Sequence, residues 1–184
     1  TVNVAAGNDA PVSANTTIAA TEDTVAKDFL AKATDVDGDA LTYTLATGAA
    51  NGKVTIGKDG SYSYTPNANF NGKDSFTYTV TDGTETITKT ANMTVASVND
   101  VPISKDSTIA ATEDTIATSK LEAATDADGD ALTYAIATNA ANGKVVIGKD
   151  GSYTYTPNAN FNGEDSFTYT INDGKGGVIT QTAT

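Results

Sequence analysis

The chain contains no cysteine and no histidine. Without cysteine there can be no disulfide, no zinc-thiolate site and no thiol nucleophile. Without histidine, Ser-His-Asp triads and HExxH zinc sites are excluded, and so is the commonest general base near neutral pH. Positive charge is scarce as well: 11 Lys+Arg stand against 23 Asp+Glu, a formal net charge of −12. That sign opposes the neutralisation of phosphates, so nucleic acid is not an expected partner. No apolar run is long enough to span a bilayer, and the N-terminal residues show no basic segment followed by an apolar one. The expectation is a soluble fragment with no membrane insertion, its targeting signal lying outside it.

Hydrophobic residues make up 39% of the 184, with eight Tyr and five Phe, which is enough to bury two small cores. The sequence repeats. Asn8-Asp9-Ala10-Pro11 returns as Asn99-Asp100-Val101-Pro102, an offset of 99 − 8 = 91, and the same offset links Thr21 to Thr112 and Pro66 to Pro157. Roughly three-quarters of positions from Asn8 to Gly83 match across it, the mark of a tandem array. The offset slips by one just after Asp82-Gly83 and Asp173-Gly174, as a hairpin loop tolerates. Thr1–Ala6 aligns with Asn92–Ser97, and Thr184 with Asn92 after the slip. The expected organisation is therefore a last-strand remnant of a preceding copy at 1–7, a first repeat at 8–98, and a second at 99–184 that stops within its own last strand. Further copies are expected on both sides.

Within each copy the hydrophobic period is two. Leu41, Tyr43 and Leu45 alternate with Thr42 and Thr44, and Phe76, Tyr78 and Val80 alternate with Thr77, Thr79 and Thr81. No segment sustains a helical period. Strands are expected near Pro11–Ala20 (A), Thr24–Leu30 (B), Ala40–Ala46 (C), Lys53–Gly57 (D), Ser61–Thr65 (E), Ser75–Thr81 (F) and Thr86–Ser97 (G). About seven short strands per copy, divided by Gly, Asn and Asp turns, predict an all-β fold of two tandem immunoglobulin-like sandwiches.

Each copy places a dense acidic loop between B and C: Asp35-Val36-Asp37-Gly38-Asp39, and Asp126-Ala127-Asp128-Gly129-Asp130. Alternating carboxylates spaced by small residues can curl around one hard cation, and calcium takes six to eight oxygens. An EF-hand loop is a poor match, since position twelve counted from Asp35 is Ala46 instead of Glu. A solvated turn would explain Asp and Gly locally, but not why carboxylates gather at the ends of a domain. Successive loops of a sandwich alternate between its two ends. By that rule Glu22, Asp23 and Asp74 fall where copy one ends, Asn99 and Asp100 in the connector, and Asp126, Asp128, Asp130 and Asp173 where copy two begins. An interdomain calcium cluster needs such a set. Asn67, Asn69 and Asn71, with Asn158, Asn160 and Asn162, are read as turn formers.

The order of these motifs resembles the cadherins, and more closely the bacterial cadherin-like tandem repeats of very large surface adhesins, many of the RTX type. The resemblance covers nearly the whole chain, twice. It rests on Glu22 and Glu113 after strand A, and on the loops Asp35, Asp37, Asp39 and Asp126, Asp128, Asp130 leading into Leu-Thr-Tyr. It includes Asp74 and Asp165 before strand F, Asp82 and Asp173 closing it, and the linkers Asn8-Asp9 and Asn99-Asp100 before proline. The sequence departs from the animal pattern at Ser97 and Val101, and in having one carboxylate before strand F where cadherins have two. The resemblance thus implies Ca2+ at all these positions, with one or two ions per junction.

The function this implies is a calcium-stiffened extender of a secreted bacterial surface adhesin, supporting adhesion or biofilm formation. Its partners would be neighbouring repeats of the same chain, and the fragment would be a monomer. The alternatives are a module that binds surface polysaccharide or its own kind, and an accessory domain of an extracellular enzyme. No hydrolytic turnover is expected of the chain itself, because a paired-carboxylate mechanism needs one acid in an apolar cleft and these loops are polar. Release of sugar or ester product by the purified chain, abolished by Asp37→Ala, is the outcome that contradicts this.

Overall fold

The computed structural model describes residues 1–5 and 7–184; Ala6, part of the expected remnant, lies outside them. The chain divides into two compact units, Thr1–Val98 and Asn99–Thr184. Among the described residues all regular structure is β, in 13 strands. Among the described residues no helix is long and apolar enough to cross a membrane.

Module one holds β1 (Thr16–Thr21), β2 (Ala26–Phe29), β3 (Thr42–Thr47), β4 (Gly52–Ile56), β5 (Ser61–Pro66), β6 (Gly72–Thr81) and β7 (Thr86–Ala96). One sheet runs β1-β7-β6-β3 and the other β2-β5-β4. The period-two pattern decides which faces meet. Phe76, Tyr78 and Val80 of β6, Ala91, Met93 and Val95 of β7, and Tyr62 and Tyr64 of β5 are buried, while the intervening residues face out or lie half-buried. Strand A departs from the continuous run expected at Pro11–Ala20. Val12 bridges Thr34, and only from Thr16 onward does the chain pair, in parallel, with β7. The Thr16 hydroxyl marks this change of partner: it accepts from Ala31 N at 2.8 Å and shares a hydrogen bond with Tyr78 Oη at 3.1 Å. Tyr78 in turn stacks on Tyr43, with ring centres 6.2 Å apart. Phe29, aligned with Lys120 in the second copy, is exposed.

Module two holds β8 (Ala117–Lys120), β9 (Thr133–Thr138), β10 (Gly143–Ile147), β11 (Ser152–Pro157), β12 (Phe167–Asn172) and β13 (Val178–Ala183). Its sheets run β13-β12-β9 and β10-β11-β8. The Tyr134–Tyr169 pair and the bond between Ser107 Oγ and Tyr169 Oη repeat the arrangement of module one.

The modules differ in how their last strand pairs. In module one β7 lies between β1 and β6, with Ala91–Ala96 paired to Thr16–Thr21 on one side and Ala91–Val95 to Phe76–Gly72 on the other. In module two β13 stops at Ala183, the counterpart of Ala91 (183 − 91 = 92, the offset of 91 plus the slip of one). Seven strands were expected in each copy, but here the first is reduced to a single bridge, Ser107 to Ala183, and β12 begins at Phe167 where β6 begins at Gly72. Thr17–Thr21 and Thr108–Thr112 are the same pentapeptide, Thr-Ile-Ala-Ala-Thr, yet only the first is strand. Backbone groups need partners, and the strand that supplies them in module one is not alongside in module two. In hydrogen exchange, the segment Gly163–Ser166 is therefore expected to exchange far faster than Gly72–Ser75, because its amides lack a ladder. Equal protection of the two would show that the pairing difference is not real.

Candidate metal-binding loops

In each acidic loop the first carboxylate organises the backbone. Asp35 Oδ1 accepts from Asp37 N at 2.9 Å and Asp39 N at 3.3 Å, and Asp126 Oδ1 accepts from Asp128 N at 3.0 Å and Asp130 N at 3.1 Å. The chain closes over this oxygen because Gly38 and Gly129 take φ of 83° and 78°, a region open to glycine. So far this is an Asx turn. The other oxygen is not explained by it. Asp35 Oδ2 and Asp126 Oδ2 are both buried and receive no hydrogen bond. Each sits in a trio of carboxylates, Asp35-Asp37-Asp39 or Asp126-Asp128-Asp130, that can bring oxygens within 4.8 Å of one another. A buried acceptor without a donor, amid like charges, is costly. An all-oxygen, anionic set of this kind fits a hard divalent ion such as calcium.

The loops also hold the segment that leads into their own module. Asp9 N donates to Asp37 Oδ2 at 2.8 Å and Asn8 Nδ2 to Asp82 Oδ2 at 3.0 Å. In module two, Asp100 N donates to Asp128 Oδ2 and Asn99 Nδ2 to Asp173 Oδ2, both at 2.8 Å. Asp82 and Asp173 thus each tie the segment ahead of their module to the hairpin that follows β6 or β12. Asp82 Oδ1 accepts from Thr84 N and Glu85 N, while Asp173 Oδ1 accepts from Lys175 N, Gly176 N and Gly177 N across the hairpin with the extra residue. The Asn8 amide, helped by those backbone donors, holds Asp82 below the usual carboxylate range, and the Asn99 amide does the same for Asp173 against the opposing effect of burial. What the structure brings together is therefore Asn8, Asp9, the Asp35 loop and Asp82 in module one, and Asn99, Asp100, the Asp126 loop and Asp173 in module two.

Residues 8–97 match the model of the bacterial cadherin-like domain, and residues 99–184 that of the bacterial Ig domain. The chain is a tandem pair of bacterial cadherin-like and Ig domains. No curated protein matches it. Human protocadherin-24 EC1-2 is similar in fold, in one crystal form at TM-score 0.64 and 20% identity over 96% of this chain and 94% of that one. Another structure of the same fragment gives 0.57 and 16% over 97% and 94%. The endo-fucoidan hydrolase MfFcnA4, of glycoside hydrolase family 107, is 23% identical at TM-score 0.45; the match covers 94% of this chain but 28% of the hydrolase. Cadherin-like domains generally bind calcium, and the acidic trios are groups that could hold a metal.

Several acidic positions of the cadherin-like pattern accept hydrogen bonds from within their own module. Asp74, expected as a ligand, is buried in a network of its own module. Its Oδ1 accepts from Ala50 N and Ser75 N, its Oδ2 from Asn51 N and Tyr64 Oη, at 2.8–3.1 Å. Those four donors fill the four acceptor sites of a carboxylate. Asp165 repeats the set with Ala141, Ser166, Asn142 and Tyr155. Asp23 Oδ1 accepts from Asn69 N, pinning the loop where Asn69 takes φ of 57°, which agrees with the turn role expected of these asparagines. Glu22 is buried, accepting from Val98 N at 2.5 Å and Asn71 Nδ2 at 3.2 Å, whereas Glu113 is exposed.

The sequence reading missed the Asp–Tyr network. Its signal was Gly52 and Gly143: a Cβ at either would overlap the ring of Tyr64 or Tyr155. Only glycine lets the ring lie flat and reach the carboxylate. Burial followed by the Asp165 bond pushes the Tyr155 hydroxyl up to about 12. For Asp165, burial acts upward, but the Tyr155 hydroxyl and the backbone donors outweigh it and leave the acid below its ordinary range. An acid depressed in the folded state stabilises above its unfolded pKa, and loses that contribution as pH falls through the lower, folded value. Asp165→Asn is expected to cost about 1–3 kcal/mol at pH 7, by leaving donors unmet. The deficit relative to wild type should shrink in acid through that window, as measured by urea denaturation from pH 7 to pH 2. A deficit independent of pH would rule out the charged network.

Proposed function

We propose that the chain is a calcium-stiffened extender of a large bacterial surface adhesin, working with neighbouring repeats of the same chain. Bacterial cadherin-like and Ig domains are typical of extracellular or surface proteins. The observation that carries the calcium reading is the pair of buried, undonated oxygens, Asp35 Oδ2 and Asp126 Oδ2, each in a trio of carboxylates. Asp35, Asp37 and Asp39 would hold one ion, and Asp126, Asp128 and Asp130 another. The ion would supply fixed positive charge where the chain has concentrated negative charge, which matters in a protein of net charge −12. Because the Asp126 loop also grips Asn99 and Asp100 through Asp173 and Asp128, an ion that orders this loop would order the connector. Stiffness of the connector is the property a stalk requires; the chain has no cysteine with which to supply it by a disulfide, and a bound ion would supply it.

Calcium at about a hundred times its dissociation constant is expected to stabilise the fold by roughly 2.7 kcal/mol per site. Scanning calorimetry in calcium and in chelator measures it, and Asp126→Asn should remove the share of module two. Small-angle scattering reads the joint: wild type should show a longer maximum dimension with calcium than without, and Asp128→Ala no change. A melting temperature indifferent to calcium would end the metal reading. Scattering curves unaltered by calcium, with the melting temperature raised, would keep the ion and discard the stiffening.

A further inference from the structure

The β2-β5-β4 sheet of module one turns Val54, Tyr62 and Tyr64 to the core and a row of small polar side chains outward. Directly opposed residues share a face: Phe29 stands opposite Ser61, and Ser63 stands between Lys27 and Thr55. Together they line a shallow depression of about 490 Å³, which Asp28 also borders. Phe29 is 63% exposed, the one exposed large hydrophobic side chain among the described residues of β2, β4 and β5. The Ser61 hydroxyl donates to Asp59 Oδ1 at 2.6 Å, which leaves its lone pairs as acceptors. Gly57 keeps the floor open there, because a Cβ on it would overlap that hydroxyl.

This is also where the two copies part. From Asn8 to Gly83 roughly three-quarters of positions match, yet five of the eight residues lining the depression differ. Lys27, Asp28, Phe29, Thr55 and Ser63 stand where module two has Thr118, Ser119, Lys120, Val146 and Thr154. Lys120 there is paired with Asp150 at 3.2 Å. A purely structural role would ask the same of both copies, and the buried residues of this sheet, Val54, Tyr62 and Tyr64, do recur as Val145, Tyr153 and Tyr155. We propose that this face of module one binds a neutral polysaccharide, with one sugar ring stacked on Phe29. A sugar ring has an apolar C–H face, which suits the negative face of an aromatic ring, and a rim of hydroxyls, which suits Ser61, Ser63 and Thr55. A single exposed ring is too little apolar surface for a protein interface, whose core is built of several. Charge narrows the class further: Lys27 and Asp28 cancel on this face, and a chain of net charge −12 repels anionic polymers. The site goes beyond the extender reading and needs no metal.

The test is amide-shift mapping by NMR on the whole 184-residue chain, in chelator and again in calcium. The probes are neutral hexasaccharides of glucose, xylose, mannose and galactose, with a sulfated galactose hexasaccharide beside them. At least one neutral probe is expected to shift the amides of Lys27–Phe29, Thr55 and Ser61–Ser63 in both buffers, and to leave those of Thr118–Lys120 in place. Phe29→Lys alters an exposed residue, so it should keep the melting temperature and weaken binding about tenfold or more, the scale of one aromatic contact. Lys120→Ala, at the matching place in module two, should bind as wild type does. Absence of any shift up to about 10 mM, beyond the millimolar end of weak association, overturns the proposal. So does a Phe29→Lys variant that binds as wild type does. Tighter binding of the sulfated probe than of its neutral counterpart overturns the neutral class. Shifts at Phe29 that grow with protein concentration in the absence of sugar would assign the face to a second copy of the chain, and overturn the proposal as well. Because the chelator arm contains no calcium, failure here is distinct from failure of the metal reading.

Discussion

A strand placed between two others satisfies the backbone of both, and in module one that position belongs to β7. Its residues Ala91–Ala96 pair with β1 on one side and the start of β6 on the other. Much follows from this. Ile18 and Ala20 are buried because β1 is held against the sheet, while Ala111, the counterpart of Ala20, is exposed. β6 is ten residues long and β12 six, although Gly72-Lys73-Asp74-Ser75, which opens β6, and Gly163-Glu164-Asp165-Ser166, which precedes β12, differ by one residue. Even the buried position of Glu22 depends on the strand, since its donor Val98 N lies just past the end of β7.

The acidic residues divide by what their oxygens already do. Asp74 and Asp165 have every acceptor site filled from within their modules and act as polar struts under a tyrosine. Asp82 and Asp173 fasten a hairpin to the Asn-Asp segment ahead of the module. Asp35 and Asp126 use one oxygen to shape the loop and keep the other buried and undonated. Composition counts all these as the same negative charge, but only the last group leaves an electrostatic cost unbalanced. The difference lies in lone pairs, and those are assigned by the fold.

A division of labour between the two ends of module one also emerges. The acidic loop and the closing Asp of β6 or β12 take hold of the segment entering the module, whereas Glu22 and Asp23 secure the segment after β1, the loop before β6 and the residue leaving β7. The cadherin-like pattern is therefore partly a scheme for anchoring chain ends to the sandwich, with the carboxylates serving as acceptors for backbone N–H groups before any ion is considered.

Much of this was legible in the residues. The period of 91, the alternation of Tyr, Phe and Val with Thr, and the Asp-Gly turns are local signals, and they determined a tandem all-β chain and where its acidic loops fall. They could not separate Asp74 from Asp37, because a strut and a candidate ligand are both carboxylates next to a strand, and the donors that fill Asp74 come from Ala50, Asn51 and Tyr64, remote in sequence. Thr17–Thr21 is strand and the identical Thr108–Thr112 is not. A pentapeptide carries its propensity with it, but its hydrogen-bond partners belong to another part of the chain. The sequence alone thus determined which segments can be strands, and the tertiary structure decided which ones are, because a strand's backbone is satisfied only by a neighbour that folding brings alongside.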